Sequence, residues 1–110
     1  MDDLYVVVEK YIDNVLRTCV HYLGNMESAE DATEEVFYIA ANKGILKSGG
    51  NLLPKLLYIA RKVCIADTIK DDNEEYFLTK IIGLSKKDYM FVTGHSKFYV
   101  SVNLAGSYSL

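Results

Sequence analysis

Apolar residues recur at helical spacing from Leu4 to Leu23, at Leu4, Val7, Val8, Tyr11, Ile12, Val15, Leu16, Cys19, Val20 and Leu23. The pattern predicts a long amphipathic helix, with Asp2 or Asp3 available to cap its start and Gly24-Asn25 as a left-handed stop. A second helix is announced by Ser28 with Asp31 three residues on, a variant of the capping box, followed by Ala32, Val36, Phe37, Ile39 and Ala40. Glu30 and Asp31 then fall in its first turn, where carboxylates favour the positive end of the helix dipole. Gly44 to Pro54 breaks the periodicity at Ser48-Gly49-Gly50-Asn51, and Pro54 suits the first turn of a third helix. That helix carries Leu56, Leu57, Ile59, Ala60, Val63, Cys64 and Ile65 and is expected to run to about Lys70.

Beyond Asn73 the pattern changes character. Phe77, Leu78, Ile81 and Ile82 give Glu74 to Ile82 the spacing of a fourth helix ended by Gly83. Tyr89 to Val102 gathers β-branched and aromatic residues around Gly94, the composition of a β-hairpin. The expected fold is mainly α: a small three- to four-helix bundle over residues 1–72, then a segment, 73–110, holding a short helix and a hairpin or a shortened further domain.

Composition narrows the classes of function. A chain of 110 residues, half of them hydrophobic, supports one core without staples but leaves little room for a deep enclosed pocket. A binding module is expected rather than an enzyme: no Gly-rich phosphate loop, HExxH or His beside a nucleophile is present. Asp31 and Glu35 are one turn apart and could pair as acid and base, but nothing in the sequence encloses them. No apolar run approaches the roughly 18 residues of a membrane span. The acidic start MDDLYVVVEK is unlike a secretory signal, so a cytoplasmic protein with no membrane partner is expected. Cys19 and Cys64 lack metal-ligand spacing and read as buried free thiols, and His21 and His95 are isolated, so neither metal nor cofactor is expected.

The net charge of -3 conceals an uneven distribution. Met1 to Asn25 holds two basic and four acidic residues, and Asp71 to Leu110 four and five. Between them, Met26 to Asn42 carries -5 from Glu27, Glu30, Asp31, Glu34 and Glu35, with no basic residue. Lys43 to Lys70 carries +5, from Lys43, Lys47, Lys55, Arg61, Lys62 and Lys70 against Asp67. Adjacent blocks of opposite sign are what two surfaces facing different partners require, although solvated helix faces alone also carry charge.

Ser28-Ala29-Glu30-Asp31-Ala32-Thr33-Glu34-Glu35-Val36-Phe37, followed by Leu57-Tyr58-Ile59-Ala60-Arg61-Lys62-Val63-Cys64-Ile65, resembles region two of bacterial sigma factors of the extracytoplasmic-function type. Family members show an A-E-D-x-x-Q-E-V-F helix start and then an L-Y-x-I-A-R-N-x-x-x-D helix, and the ending Tyr22-Leu23-Gly24-Asn25 of the first helix also fits. The resemblance covers about Leu4 to Lys70. It implies a transcription initiation protein whose acidic second helix, with Glu30, Asp31, Glu34, Glu35 and Tyr38, docks on the clamp helices of the largest subunit of core RNA polymerase. It further implies that Lys43, Lys47, Lys55, Tyr58, Arg61, Lys62 and Lys70 contact promoter DNA, as the single-stranded minus-ten element. Cationic side chains there would neutralise phosphates and release counterions.

The departures fall mostly on the DNA side. Lys62 replaces the family asparagine, Leu57 stands at the tyrosine position with Tyr58 one residue late, and Ala66 and Ile69 stand at the aspartate and arginine positions. On the docking helix, Glu34 replaces a glutamine and Ala41 a tryptophan. The connection from Gly44 to Pro54, where the family holds a flipped base, contains no aromatic residue. Leu84-Ser85-Lys86-Lys87-Asp88-Tyr89 is faintly similar to the start of the family linker to region four, and no recognition helix follows. A region-two-only sigma factor is therefore the leading expectation. The alternatives are a regulatory or protein-interaction module that reads no promoter itself, paired with an anti-sigma factor or a separate region-four subunit, and a nonfunctional remnant.

Overall fold

A computed structural model of the chain describes residues 2–65 and 73–94. Five α-helices account for most of them: α1 (Asp2–Leu23), α2 (Met26–Asn42), α3 (Leu53–Ile65), α4 (Glu74–Tyr76) and α5 (Lys86–Thr93). A 3₁₀ turn, Ile45–Lys47, lies between α2 and α3, and α4 runs directly into a π-helical segment, Phe77–Ile82. There is no strand among the described residues. The chain divides into two compact units, residues 1–70 and 71–110.

In the first unit, α1, α2 and α3 each pack against the other two. The apolar stripes predicted from spacing converge there: Val15 and Cys19 of α1, Ala29, Val36 and Ala40 of α2, and Leu56, Leu57 and Ala60 of α3 are fully buried. Burying side chains of the Leu and Val kind is worth roughly 1.5–3 kcal/mol each, which is why three helices of marginal intrinsic stability hold together. Two buried hydroxyls are satisfied within their own helices, Thr18 by Asn14 O at 2.8 Å and Thr33 by Ala29 O at 2.7 Å. The Tyr11 hydroxyl accepts from the Leu52 N–H at 3.2 Å, fixing the entry to α3 against the middle of α1.

The α1–α2 junction corrects one expectation, while Asp2 and Asp3, the expected caps of α1, fall within its first turn. At the far end, Gly24 takes the left-handed conformation (φ 84°) and its N–H bonds to Val20 O at 2.8 Å, as expected of a stop. Asn25, however, is extended and begins the next helix: its Oδ1 accepts from the Ser28 N–H at 2.8 Å. The N-cap of α2 is thus Asn25 and not Ser28, because asparagine placed three residues ahead of a free N–H caps as well as serine does.

Pro54 sits in the first turn of α3, as its missing N–H favours. This helix is described as far as Ile65, and the expected continuation to Lys70 lies outside the described residues.

In the second unit, the fourth helix spans the predicted Glu74 to Ile82, but only its first turn is α. The remainder widens to a π-helix that ends at Gly83 (φ 97°), where the N–H groups of Gly83 and Leu84 both bond to Leu78 O. Residues Tyr89 to Thr93, expected as the first strand of a hairpin, are instead the body of α5. Local capping outweighs their β-prone composition: Ser85 Oγ accepts from the Asp88 N–H at 3.1 Å, and left-handed Gly94 returns its N–H to Met90 O at 2.9 Å. The rest of the expected hairpin lies outside the described residues.

Candidate partner-binding surface

With Asn25 as cap, α2 begins at Met26, and the acidic residues are displaced from the positions the sequence suggested. Glu27 alone of the five occupies the first turn. Glu30 and Asp31 lie in the second turn and Glu34 and Glu35 in the third, beyond the reach of a helix dipole that fades within the first turn. Dipole compensation therefore does not account for four of the five carboxylates.

All four are exposed, as is Tyr38, at 69%. Ala29, Ala32, Thr33, Val36, Phe37 and Ala40 fill the opposite side of the helix. By helical spacing Tyr38 falls between Glu34 and Asp31 on the outer face, so the five residues expected to meet a partner do share one surface. Glu30, Asp31 and Glu34 meet no cation among the described residues, in contrast to Asp13 of α1, which pairs with Arg17 at 3.6 Å.

Along one edge of this face runs an apolar groove of about 370 Å³ between α1 and α2. Val8, Ile12 and Leu16 of α1 line it with Thr33 and Phe37 of α2, and Glu30 and Glu34 stand at its border. Ile12 is 42% exposed. The groove was not anticipated: its α1 residues were part of the helical stripe, and spacing alone does not reveal that the stripe is broader than two partner helices cover. The opposite edge of α2 turns toward α3, where the Glu35 charge acts on the Cys64 thiol.

The basic residues form a less unified set. Lys43 is the C-cap residue of α2, and Lys47 ends the 3₁₀ turn; both are exposed. On α3, Lys55, Tyr58 and Lys62 follow one another at helical spacing, with Arg61 beside them. Lys55 Nζ donates to Ser48 Oγ at 3.4 Å, linking this face to the glycine-rich connection, and Lys62 Nζ lies over the Tyr58 ring at 5.6 Å. Tyr58 and Arg61 are half-buried. Burial holds the Tyr58 phenol above its ordinary value of 10.0, so it remains a neutral hydrogen-bonding group at physiological pH. The structure thus brings Lys55, Tyr58, Arg61 and Lys62 together, places Lys43 and Lys47 on the connection leading to them, and leaves Lys70 outside the described residues.

No group of three or more His, Cys, Asp and Glu side chains suited to a metal occurs among the described residues. Asp31 and Glu35 lie open to solvent. His21 packs edge-on against Tyr22 with ring centroids 5.4 Å apart, and His95 is outside the described residues. No described helix is long and apolar enough to cross a membrane. Comparison with known proteins finds no matching family model, no similar curated protein and no similar solved structure.

Proposed function

We propose that the chain is a sigma-factor-like transcription initiation protein whose α2 docks on the clamp helices of the largest subunit of core RNA polymerase. The observation that carries this reading is the outer face of α2, where Glu30, Asp31, Glu34, Glu35 and Tyr38 are all exposed although four carboxylates have no role in capping their own helix. Unpaired carboxylates around an exposed tyrosine suit a basic partner surface, with the tyrosine as an amphipathic anchor. The groove beside Glu30 and Glu34 offers apolar area for the same partner. Once docked, the face with Lys55, Tyr58, Arg61 and Lys62 assists recognition or opening of the minus-ten element in a cytoplasmic complex, without catalysis of its own.

The deciding experiment is retention of the chain by immobilised core polymerase at low salt. Wild type is retained, and Asp31→Lys with Glu35→Lys is not; equal retention of the two, or none of either, removes the docking reading.

A second reading, a regulatory module that binds protein partners but reads no promoter, is favoured by the lysine lying over the Tyr58 ring and by the lack of an aromatic residue in the connection before α3. Fluorescence anisotropy of a minus-ten single strand separates the two. Sequence-specific binding in the presence of polymerase supports promoter reading, and its absence with polymerase docking intact supports the regulatory module.

A further inference from the structure

The groove between α1 and α2 is the middle of a longer apolar strip. On α1, Tyr5, Val8, Ile12 and Leu16 recur at helical spacing as a second stripe, beside the one that faces the core through Tyr11, Val15 and Cys19. On α2, Met26 falls on the same helical line as Thr33 and Phe37 and carries it toward the helix start. Tyr5 is 68% exposed and Met26 53%, so the strip stays open to solvent beyond both ends of the groove. From Tyr5 to Leu16 it extends over about 16 Å, or three turns of helix. Single exposed apolar side chains need no explanation, but a contiguous strip with polar borders marks an interaction surface.

Both borders are acidic. Glu9 and Asp13 flank the strip on α1, and Glu27, Glu30 and Glu34 flank it on α2, all of them exposed. The cations of α1 leave most of this charge in place: Arg17 pairs with Asp13, and Lys10 lies over the ring of Tyr11, on the core side of the helix, at 5.4 Å.

We propose that this strip is the docking groove for a basic amphipathic helix of a partner protein, about three turns long. Its apolar side chains enter between α1 and α2, and its lysines and arginines pair with the two acidic borders. A helix laid along two antiparallel helices can seat its side-chain ridge in the furrow between them. An extended peptide gains less, because no strand edge among the described residues offers partners to its backbone. A second copy of this chain would set acidic border against acidic border, and an anionic membrane surface would meet the same repulsion. The inference goes beyond polymerase docking: it fixes the chemistry of the occupant, whichever protein supplies it, and the groove is not lined by Asp31, Glu35 or Tyr38.

The test is fluorescence anisotropy of labelled synthetic helical peptides of about four turns, titrated with the full chain. The probe carries leucines at helical spacing on one face and lysines on the flanking positions. Wild type should bind it saturably, and at least about tenfold more tightly than a peptide of the same composition with its leucines scattered or one with glutamate in place of lysine. Raised salt should weaken the binding several-fold. Ile12→Gln, at an exposed position that tolerates the change, should lower affinity about fivefold, and Glu30→Gln with Glu34→Gln by about as much. The probe should also shift the methyl NMR signals of Val8, Ile12 and Leu16. Equal affinity for the scattered peptide, or for wild type and a folded Ile12→Gln, would overturn the proposal. So would self-association that Ile12→Gln abolishes without any peptide binding, which would assign the strip to a second copy, and so would wild-type binding to phosphatidylglycerol vesicles in preference to the peptide. Asp31→Lys with Glu35→Lys separates the two readings: loss of polymerase retention together with retained peptide binding shows that the groove works apart from the outer face of α2.

Discussion

The two charged faces of the first unit differ in what their side chains already do. On α2, Glu30, Asp31 and Glu34 project from a helix whose N-terminus is capped by Asn25, and they engage no cation among the described residues. On α3, Lys55 reaches back to Ser48, Lys62 covers the Tyr58 ring, and Arg61 is half-buried. A partner of α2 meets carboxylates free to pair at once, whereas a partner of α3 must compete with existing contacts. Such exposed contacts are worth little individually, roughly 0–1 kcal/mol, but they weaken an already modest set of cations. The difference teaches why the acidic face is the better candidate for autonomous binding and the basic face for contacts made only after docking.

The largest expected effect removes both faces together. Leu57, fully buried in the first unit, should cost about 2–5 kcal/mol when replaced by alanine, lowering the denaturation midpoint and weakening both proposed binding activities in parallel. If Leu57→Ala weakened one activity alone, the two faces would not share a scaffold. Next in size, reversal of Asp31 and Glu35 to lysine should reduce polymerase affinity by about tenfold or more with little change in stability, since both residues are exposed. The matched reversal Lys55→Glu with Lys62→Glu should leave polymerase affinity within about twofold while lowering single-strand binding in the ternary complex. Similar losses of polymerase affinity from both pairs would erase the distinction between faces.

Smaller effects test how each face is built. Asn25→Ala removes the cap of α2 and should cost about 1 kcal/mol, whereas Ser28→Ala should cost less; urea denaturation ranks the two. Tyr11→Phe deletes the bond to the Leu52 N–H and should likewise cost about 1 kcal/mol, loosening the entry to α3 without touching either charged face. At the lower end stands the Tyr58 phenol. Because burial raises its value in the folded chain, its contribution to stability is present below about pH 10, the unfolded value, and is lost as pH rises through the higher folded value. Spectrophotometric titration of wild type against Tyr58→Phe should place this ionisation above 10.0.

The elements that the sequence revealed best are those whose period, stop signal and burial agree. In α1, the stripe through Val15 and Cys19 is buried as its spacing requires, and Gly24 ends it. Where two residues compete for one role, the pattern was ambiguous: Asn25 and Ser28 both cap well, and the winner is decided by which extended residue follows the left-handed glycine. Tyr89 to Thr93 misled because β-branched and aromatic composition is a weak preference that Ser85 and Gly94, placed at opposite ends of one short helix, override. Residues Glu30, Asp31, Glu34, Glu35 and Tyr38 were legible as one face, since helical spacing alone groups them. The groove lined by Val8, Ile12 and Phe37 was not, because it depends on how separate helices pack.

The most direct measurement of the central claim is the equilibrium affinity of the full chain for core RNA polymerase, compared between wild type and the double variant Asp31→Lys with Glu35→Lys at low and raised salt. Docking through α2 predicts saturable wild-type binding that weakens with salt, and at least about a tenfold loss on charge reversal. Unchanged affinity in the reversed variant, with its helical content and unfolding midpoint intact, would contradict the account.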